Sequence, residues 1–195
     1  MSSAPRPTFL VLNASLGGET GNTAVLLGRA VAKLSENATV LRATLTKDYG
    51  YTELRPRLLE AQAILIGTGT HWDSWSHLLQ KFLEDATQDE ATDLWLGKPA
   101  GVVVTMHSMG GKAVLSRLQG VLNTLGCLLP PLSGMVYSLV NQTAIETGGP
   151  GSEDIWAPQD VDVICHNLLA ALSAQPRYRT WPVDRSDYAK RWIRE

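Results

Sequence analysis

The residues most able to do chemistry in this sequence lie in three polar loops, each of which follows a short apolar run. The first loop, residues 13–22, has small hydroxyl and amide side chains beside three glycines. The helix expected after it would add free backbone N–H groups and the positive end of its dipole, and both attract phosphate. The residues expected to hold a phosphate here are Ser15, Thr20, Gly21, Asn22 and Thr23.

The motifs and charged residues that the first loop lacks limit the kind of phosphate group that it could bind. A Walker A loop has Lys before its Ser or Thr, and Asn22 stands at that position. The glycine spacing also differs from the GxGxxG dinucleotide pattern, and no Lys or Arg precedes Arg29 in this stretch. The loop therefore favours a monophosphate held by neutral donors. The alternative is an ordinary polar turn in which Thr20 or Asn22 caps the helix.

The second loop, residues 67–74, brings aromatic and imidazole rings together with glycines. Such a loop offers a flat surface and polar groups to a ring system. His71 and Trp72 at its tip are expected to contact a ligand, whereas Trp75 is expected to pack on the following helix. The spacing of His71 and His77 matches no zinc pattern, so no metal site is expected. The predicted ligand contacts are Thr70, His71, Trp72, Asp73 and Ser74.

The third loop, Met106–Gly111, supports two interpretations. Its glycines allow backbone amides to approach a ring edge, with hydrogen bonds from the neighbouring side chains. It also resembles the nucleophile elbow of lipases and esterases, which would make Ser108 a nucleophile. Against that hypothesis, Met106 replaces the first glycine of the elbow, and the only later histidine, His166, follows closely after the candidate acids. The predicted ligand contacts are His107, Ser108, Met109, Gly110 and Gly111.

The elements that must position these loops alternate along the chain. Strand-like runs occur at 9–12, 39–41, 63–66, 102–104 and 135–137, and helical stripes lie between or after them. Short buried strands that alternate with helices predict an α/β fold with a parallel sheet covered on both faces. We expect the five strands in the order 2-1-3-4-5. Ligands bind such sheets beyond the carboxyl ends of the strands, which is where the three loops lie.

Composition limits the class of protein. The 195 residues are 44% hydrophobic and 18% charged, with a net charge of -2. These values favour a globular protein over a nucleic-acid binder, and no run is long enough to span a membrane. Two cysteines without CxxC spacing and no recognisable secretory segment favour a cytoplasmic location. We expect one domain over residues 1–195, with a core at 8–174 and an aromatic, basic arm at 175–195.

Together the three loops resemble those of the NADPH-dependent FMN reductase family, which includes small quinone, chromate and azo-dye reductases. The similarity runs from about Thr8 to Leu172. The family typically has a small polar phosphate loop ending near an Asn, a Pro-x-Tyr-Asn-Gly loop under the isoalloxazine ring, and a glycine-rich third loop. In this sequence Thr70 and Trp72 replace the Pro and the Tyr, and the arginine often found in the phosphate loop is missing.

The resemblance implies a flavodoxin-like three-layer sandwich that binds FMN without a covalent bond. NAD(P)H would be the hydride donor, and a quinone, free flavin or similar small acceptor would be reduced by a ping-pong mechanism without a catalytic acid or base from the protein. It also implies a homodimer or homotetramer, to which six tryptophans in a chain of this length add support. Two alternatives stay open: a serine hydrolase using Ser108, and a flavin-free binding protein.

Overall fold

Five parallel strands form the centre of the protein. The computed structural model describes residues 5–148, 155–174 and 177–183. The strands pair in the order β2-β1-β3-β4-β5, all parallel, so the predicted topology is confirmed. Their bounds are β1 (Thr8–Asn13), β2 (Thr39–Thr44), β3 (Ala63–Gly69), β4 (Ala100–Met106) and β5 (Gly134–Ser138).

Helices cover both faces of the sheet. The α-helices are α1 (Asn22–Ser35), α2 (Tyr51–Glu60), α3 (His77–Ala86), α4 (Gly111–Leu125), α5 (Leu139–Thr147) and α6 (Val161–Ala174). Side chains alternate along each strand, so Leu10 and Leu12 pack into one core while Phe9 and Val11 pack into the other. The first core also takes buried residues of α2, α3 and α4, and the second takes those of α1 and α6. The fold is that of a flavodoxin-like three-layer sandwich.

Several element boundaries differ from the sequence expectations. β3 continues to Gly69 rather than ending at Gly67, because the polar Thr68 is still paired with β4. Trp75 lies outside α3, and Ser76 caps that helix by accepting a hydrogen bond from the amide of Leu79 at 3.1 Å. Pro158 belongs to a short 3-10 turn, Pro158–Asp160, rather than to α6 itself.

The sequence pattern predicts neither α2 nor α5. α2 contains Pro56 in its interior, and proline normally ends a helix because it removes a backbone donor. α5, all of which is described, has no fully buried residue and therefore no apolar stripe to reveal it. α2 lies between β2 and β3, and α5 follows β5, so both stand where an α/β fold places a helix after a strand. Topology therefore explains their presence better than local composition does.

The remaining features concern the cysteines and the chain end. Cys127 and Cys165 are free, buried, and in different cores. In the described part of the predicted arm, Tyr178 lies against Gly97, and Trp181 is exposed. Tyr188 and Trp192 lie outside the described residues. Among the described residues, no helix has the length and apolar character needed to cross a bilayer.

Candidate functional site

The three polar loops converge on one cavity at the carboxyl ends of β1, β3 and β4. Its volume is about 350 Å³, within the usual range for a small-molecule site. We call it the three-loop cavity. Its lining residues are Ser15, Leu16, Gly17, Gly21, Asn22, Thr23, Gly69, Thr70, His71, Thr105, Met106, His107 and Leu139. It lies where the strand order reverses between β1 and β3, which is where open α/β sheets bind ligands.

Asn13, the last residue of β1, organises the first loop. Its Oδ1 accepts hydrogen bonds from the amide of Ser15 at 3.1 Å and from the Ser15 hydroxyl at 2.8 Å. Its Nδ2 donates to the carbonyl of Gly18 at 2.8 Å. Because Asn13 and Ser15 are both buried, the two bonds between them are shielded from water and fix the start of the loop. The hydroxyl hydrogen of Ser15 is therefore already donated within the protein.

The first loop folds back on itself so tightly that two of its residues must be glycine. A Cβ built on Gly17 would lie 2.9 Å from the Cα of Gly21, and the reverse contact is also 2.9 Å. Backbone thus faces the cavity where side chains would otherwise stand. α1 begins directly after Gly21, and the amides of Asn22 and Thr23 have no acceptor within the helix, whereas the amide of Ala24 donates to the carbonyl of Gly21 at 2.9 Å. The amides of Asn22 and Thr23 are the natural donors for an anion at this position.

Two threonine hydroxyls meet in the floor of the cavity. Thr23, in the first turn of α1, and Thr105, near the end of β4, are both buried, with 2.7 Å between their Oγ1 atoms. One hydroxyl donates to the other, which leaves one hydroxyl hydrogen of the pair free for a ligand. This pair joins α1 to β4 and presents a neutral donor at the site.

Thr70 carries an unsatisfied buried group. Its amide donates to the carbonyl of Thr105 at 2.8 Å, so its backbone continues the pairing of β3 with β4. Its Oγ1 is buried but has no hydrogen-bond partner among the described residues. An unpaired buried hydroxyl is destabilising, so such groups are rare in native structures unless a ligand or water completes them. Thr70 lines the three-loop cavity, so rotation of its side chain would bring this hydroxyl to a bound molecule.

The tip of the second loop is a tight turn over His71–Ser74. His71 and Ser74 exchange two backbone hydrogen bonds, at 2.7 Å and 2.9 Å. Trp72 and Asp73 between them have φ of 49° and 56°, a left-handed conformation that favours Asn and Gly in two-residue turns. The turn points Trp72 fully into solvent. Only the His71 side of the turn lines the cavity.

The second and third loops touch. A Cβ on Gly110 would lie 2.1 Å from the Oδ1 of Asp73, and Gly110 has φ of 87°, so glycine is required there on both counts. Arg117, on α4, donates to the carbonyl of Asp73 and lies 5.4 Å from the ring centroid of Trp75. These contacts fasten the strained turn to α4 and so hold Thr70 and His71 in position.

The structure brings together seven of the fifteen predicted site residues. Those lining the cavity are Ser15, Gly21, Asn22, Thr23, Thr70, His71 and His107. The other eight lie beside it without lining it: Thr20, Trp72, Asp73, Ser74, Ser108, Met109, Gly110 and Gly111. Thr20 is exposed, and its hydroxyl makes only a long 3.4 Å contact to Gly17. Six further lining residues were not among those predicted. Four belong to the same three loops, Leu16, Gly17, Gly69 and Met106, and the other two are Thr105 near the end of β4 and Leu139 at the start of α5.

The charge around the cavity is modest. Among the described residues, no Lys, Arg, Asp or Glu lines it, and the only ionisable side chains there are His71 and His107. Glu19, in the short turn before α1, is held by a hydrogen bond from Thr44 and an ion pair with Arg42 at 3.5 Å. A phosphate would therefore meet neutral donors and the positive end of α1, in keeping with the sequence expectation.

The geometry does not support a serine nucleophile at Ser108. A nucleophile elbow holds its serine on a sharp, strained turn, and Ser108 is not among the described non-glycine residues with positive φ. Met106, at the elbow's first glycine position, instead accepts a hydrogen bond at its sulfur from the amide of Gly111 at 3.2 Å. His166 lies exposed on α6, whose buried residues belong to the core under the opposite face of the sheet from α4.

Comparison with known proteins assigns the fold to a family. Residues 7–138 match the family model described as NADPH-dependent FMN reductase. No curated protein matches this chain by sequence.

Solved structures share the fold at low sequence identity. RosB, with bound 8-demethyl-8-formylriboflavin-5'-phosphate, is similar with a TM-score of 0.66 and 16% identity over 97% of this chain and 96% of that one. An oxidoreductase from Corynebacterium diphtheriae is similar with a TM-score of 0.66 and 14% identity, over 89% of this chain and 100% of that one. The NADH:FMN oxidoreductase EMOB, in its apo form, is similar with a TM-score of 0.60 and 17% identity, over 83% of this chain and 89% of that one.

Proposed function

Because this chain belongs to the NADPH-dependent FMN reductase family, we propose that it binds FMN in the three-loop cavity and uses NAD(P)H to reduce a small acceptor. The observation that carries this proposal is the convergence of three loops on one cavity with unused donors. Family membership makes the chain a flavin oxidoreductase in class. The location of the flavin, the hydride donor and the acceptor are the parts proposed.

The donors of the cavity suit a flavin mononucleotide. Its phosphate would accept hydrogen bonds from the first-turn amides of α1 and from the free hydrogen of the Thr23–Thr105 pair. Ser15 would act mainly by holding the loop through Asn13, since donation to the phosphate requires its hydroxyl to rotate. The hydroxyl of Thr70, with its side chain turned toward the cavity, would donate to a polar edge of the flavin and gain the partner that it lacks among the described residues.

The ring would lie between the second and third loops. His71 and His107 line the cavity from these loops, and their imidazoles can donate hydrogen bonds to ring heteroatoms. The amide of Gly110, in the same loop as His107, would favour negative charge there, whereas the amide of Gly111 is already donated to the sulfur of Met106. Thr20, Trp72, Asp73, Ser74, Ser108 and Met109 stay proposed contacts at the rim, where an exposed Trp72 is suited to cover an incoming substrate.

Bound FMN would supply the redox chemistry, accepting a hydride from NAD(P)H and passing two electrons to a quinone, a free flavin or a similar acceptor. The protein's part is to bind and orient both substrates and to stabilise charge with fixed dipoles. We propose that both substrates use the same space over the cavity in turn. Such sharing gives ping-pong kinetics because the two cannot be bound together.

We also propose a homodimer or homotetramer. Leu139 and Met109, beside the cavity, and Trp72 at the tip of the second loop are exposed apolar side chains. Exposed apolar surface of this kind commonly marks an interface. A single domain over the whole chain and a cytoplasmic location stay predictions from the sequence.

The proposal is tested by reducing the FMN-loaded protein without oxygen. Addition of NADPH or NADH should bleach the visible flavin absorbance, and a benzoquinone should restore it. Steady-state double-reciprocal plots should be parallel. Failure of both nucleotides to bleach the flavin would remove NAD(P)H as the donor, and intersecting plots would contradict the shared space.

A double variant tests the phosphate site. Ser15→Ala with Thr23→Ala should weaken FMN binding by about tenfold or more, because it loosens the loop and removes a donor to a charged group. The matched control is Ser116→Ala, which removes an exposed hydroxyl on α4 away from the cavity. Equal FMN affinities in the double variant and the control would mean that the phosphate binds elsewhere.

A further inference from the structure

A second cavity opens from the three-loop cavity beside α5. Its volume is about 220 Å³, and we call it the α5 cavity. Its lining residues are Asn22, Val25, Leu26, Thr105, Met106, Tyr137, Ser138, Leu139, Gln142 and Pro158. Four of these, Asn22, Thr105, Met106 and Leu139, also line the three-loop cavity. The two spaces therefore adjoin at the end where the flavin phosphate is proposed to bind.

The junction between the cavities is flanked by two helix N-termini. Asn22 is the first residue of α1 and Leu139 the first residue of α5, and both line both cavities. Ser138 caps α5 by accepting a hydrogen bond from the amide of Asn141 at 3.0 Å. The amides of Leu139 and Val140 are the first two of the helix and therefore have no helical acceptor. Two positive helix ends at one junction favour negative charge that is distributed over two phosphate groups, one near each helix end.

The rest of the α5 cavity is suited to an uncharged, flat group. Val25, Leu26 and Pro158 give it apolar walls, and Tyr137 adds an aromatic ring. The Tyr137 hydroxyl donates to Oε1 of Gln142, which fixes the ring at the cavity edge. No Lys, Arg, Asp or Glu lines this space among the described residues. An aromatic base can pack between such surfaces, with the remaining N–H capacity of Gln142 available for a hydrogen bond.

We propose that the α5 cavity binds the adenosine end of a flavin dinucleotide, so that the protein accepts FAD as well as FMN. The diphosphate would lie at the junction between the N-termini of α1 and α5, and the adenine would occupy the apolar space beyond it. This inference rests on the proposed function, because the flavin ring must occupy the three-loop cavity for the adenosine to reach the α5 cavity.

The test compares FMN and FAD by isothermal titration calorimetry on the full chain. Wild-type protein should bind FAD at least as tightly as FMN. Val25→Trp fills the α5 cavity from α1 and leaves the three-loop cavity untouched, since Val25 lines only the former. It should weaken FAD binding at least tenfold while FMN binding stays within twofold. Ala32→Trp, an exposed position two turns further along α1, is the matched control and should change neither.

Three results would overturn the inference. If the wild type binds FAD at least tenfold more weakly than FMN, the α5 cavity does not accept the adenosine. Equal loss of both flavins in Val25→Trp would place the residue at the flavin site itself. Unchanged FAD affinity with a raised KM for NADPH would assign the α5 cavity to the pyridine nucleotide. Absence of binding by either flavin is a different outcome, because it removes the proposed function as well.

Discussion

Asp89 and Thr70 both place polar side-chain atoms in the interior of the protein. The carboxylate of Asp89 has hydrogen-bond partners there, whereas the hydroxyl of Thr70 has none among the described residues. Asp89 accepts hydrogen bonds from the hydroxyl of Tyr51 and from two nitrogens of Arg55, at 2.8 Å and 2.9 Å. Burial, followed by the bond to Asp89, raises the pKa of Tyr51 above its usual value. We call these three residues the Asp89 cluster. It joins α2 to the turn after α3, and its groups are satisfied within the protein.

The three-loop cavity is satisfied only in part. The Thr70 hydroxyl has no partner there, the Thr23–Thr105 pair has a hydrogen left over, and the adjoining turn holds two non-glycine residues at positive φ. Such strain and unpaired capacity persist where the surrounding structure enforces them, which is typical of binding sites. The contrast indicates that the Asp89 cluster serves stability. The same core also holds a buried Trp95 whose Nε1 is unpaired among the described residues, and Ala91 has positive φ, so an unpaired group or a strained residue does not mark a ligand site by itself. The cavity is distinguished by having such groups around an open space.

The largest expected effect is on the Asp89 cluster. Asp89→Ala leaves Tyr51 and Arg55 without their acceptor and should lower the free energy of unfolding by about 2–4 kcal/mol in urea denaturation. FMN affinity of the folded protein should stay unchanged. Asp85→Ala is the control, because its ion pair with Lys81 lies at the helix surface and its loss should cost less than about 0.5 kcal/mol. Comparable losses in the two variants would contradict the distinction.

The reverse pattern is expected at Thr70. Thr70→Val removes the unpaired hydroxyl at nearly constant shape, so stability should stay equal or rise by up to about 1 kcal/mol, while FMN affinity falls about tenfold. Thr68→Val, two residues earlier in β3, is the control. Its hydroxyl is bonded to Gly69 and to the amide of Ser76, so stability should fall and FMN affinity should stay. A loss of stability without a loss of affinity at Thr70 would make its role structural.

The free energy of unfolding of the scaffold should depend on pH through the buried Lys98. Burial lowers the pKa of Lys98 to about 8, below that of the unfolded chain, so the unfolded state binds more protons above pH 8. The Lys98 contribution to the free energy of unfolding should therefore rise by up to about 1 kcal/mol between pH 8 and 9. Burial raises the pKa of Cys127 and Cys165 to about 12, so their thiols ionise first in the unfolded chain, from about pH 8 upward, and offset most of that rise.

Variants check that assignment. In denaturation curves, Lys98→Met should lose more stability between pH 8 and 9 than the wild type does, by up to about 1 kcal/mol. Lys112→Met, which removes an exposed lysine on α4, should follow the wild-type profile. A wild-type profile in Lys98→Met would show that Lys98 does not cause the difference.

The smallest expected effect is in the strained turn. Trp72→Asn places a residue that tolerates the left-handed region where tryptophan is strained, and it should raise stability by about 0.5–1 kcal/mol. The same change at Trp181, which is exposed and is not among the described residues with positive φ, should give no gain. If Trp72 covers an incoming substrate, the acceptor KM should rise in Trp72→Asn alone. Unchanged kinetics would remove Trp72 from the site.

The scaffold could be predicted from the sequence wherever burial leaves a pattern. Apolar runs marked all five strands, and the stripes of α1, α4 and α6 marked their buried faces. The end of β3 could not be located, because Thr68 and Gly69 pair with β4 without being apolar. α5 has no fully buried residue and left no stripe in the sequence.

The site could be located but not detailed. The carboxyl ends of parallel strands meet at one edge, so the three loops were correctly expected to converge. Asn13 was hidden because its role lies in hydrogen bonds back to its own loop. Thr105 offered a usable signal, a polar residue at the end of an otherwise apolar strand. Leu139 offered none, because only the placement of β5 and α5 brings it to the cavity.

The most direct test of the central claim is calorimetric titration of the folded protein with FMN. The account predicts one FMN bound per chain with micromolar or tighter affinity, and it predicts that Thr70→Val weakens this binding without loss of stability. The contradicting result is a protein that is folded by circular dichroism, keeps its unfolding transition unchanged in excess FMN, and releases no heat of binding.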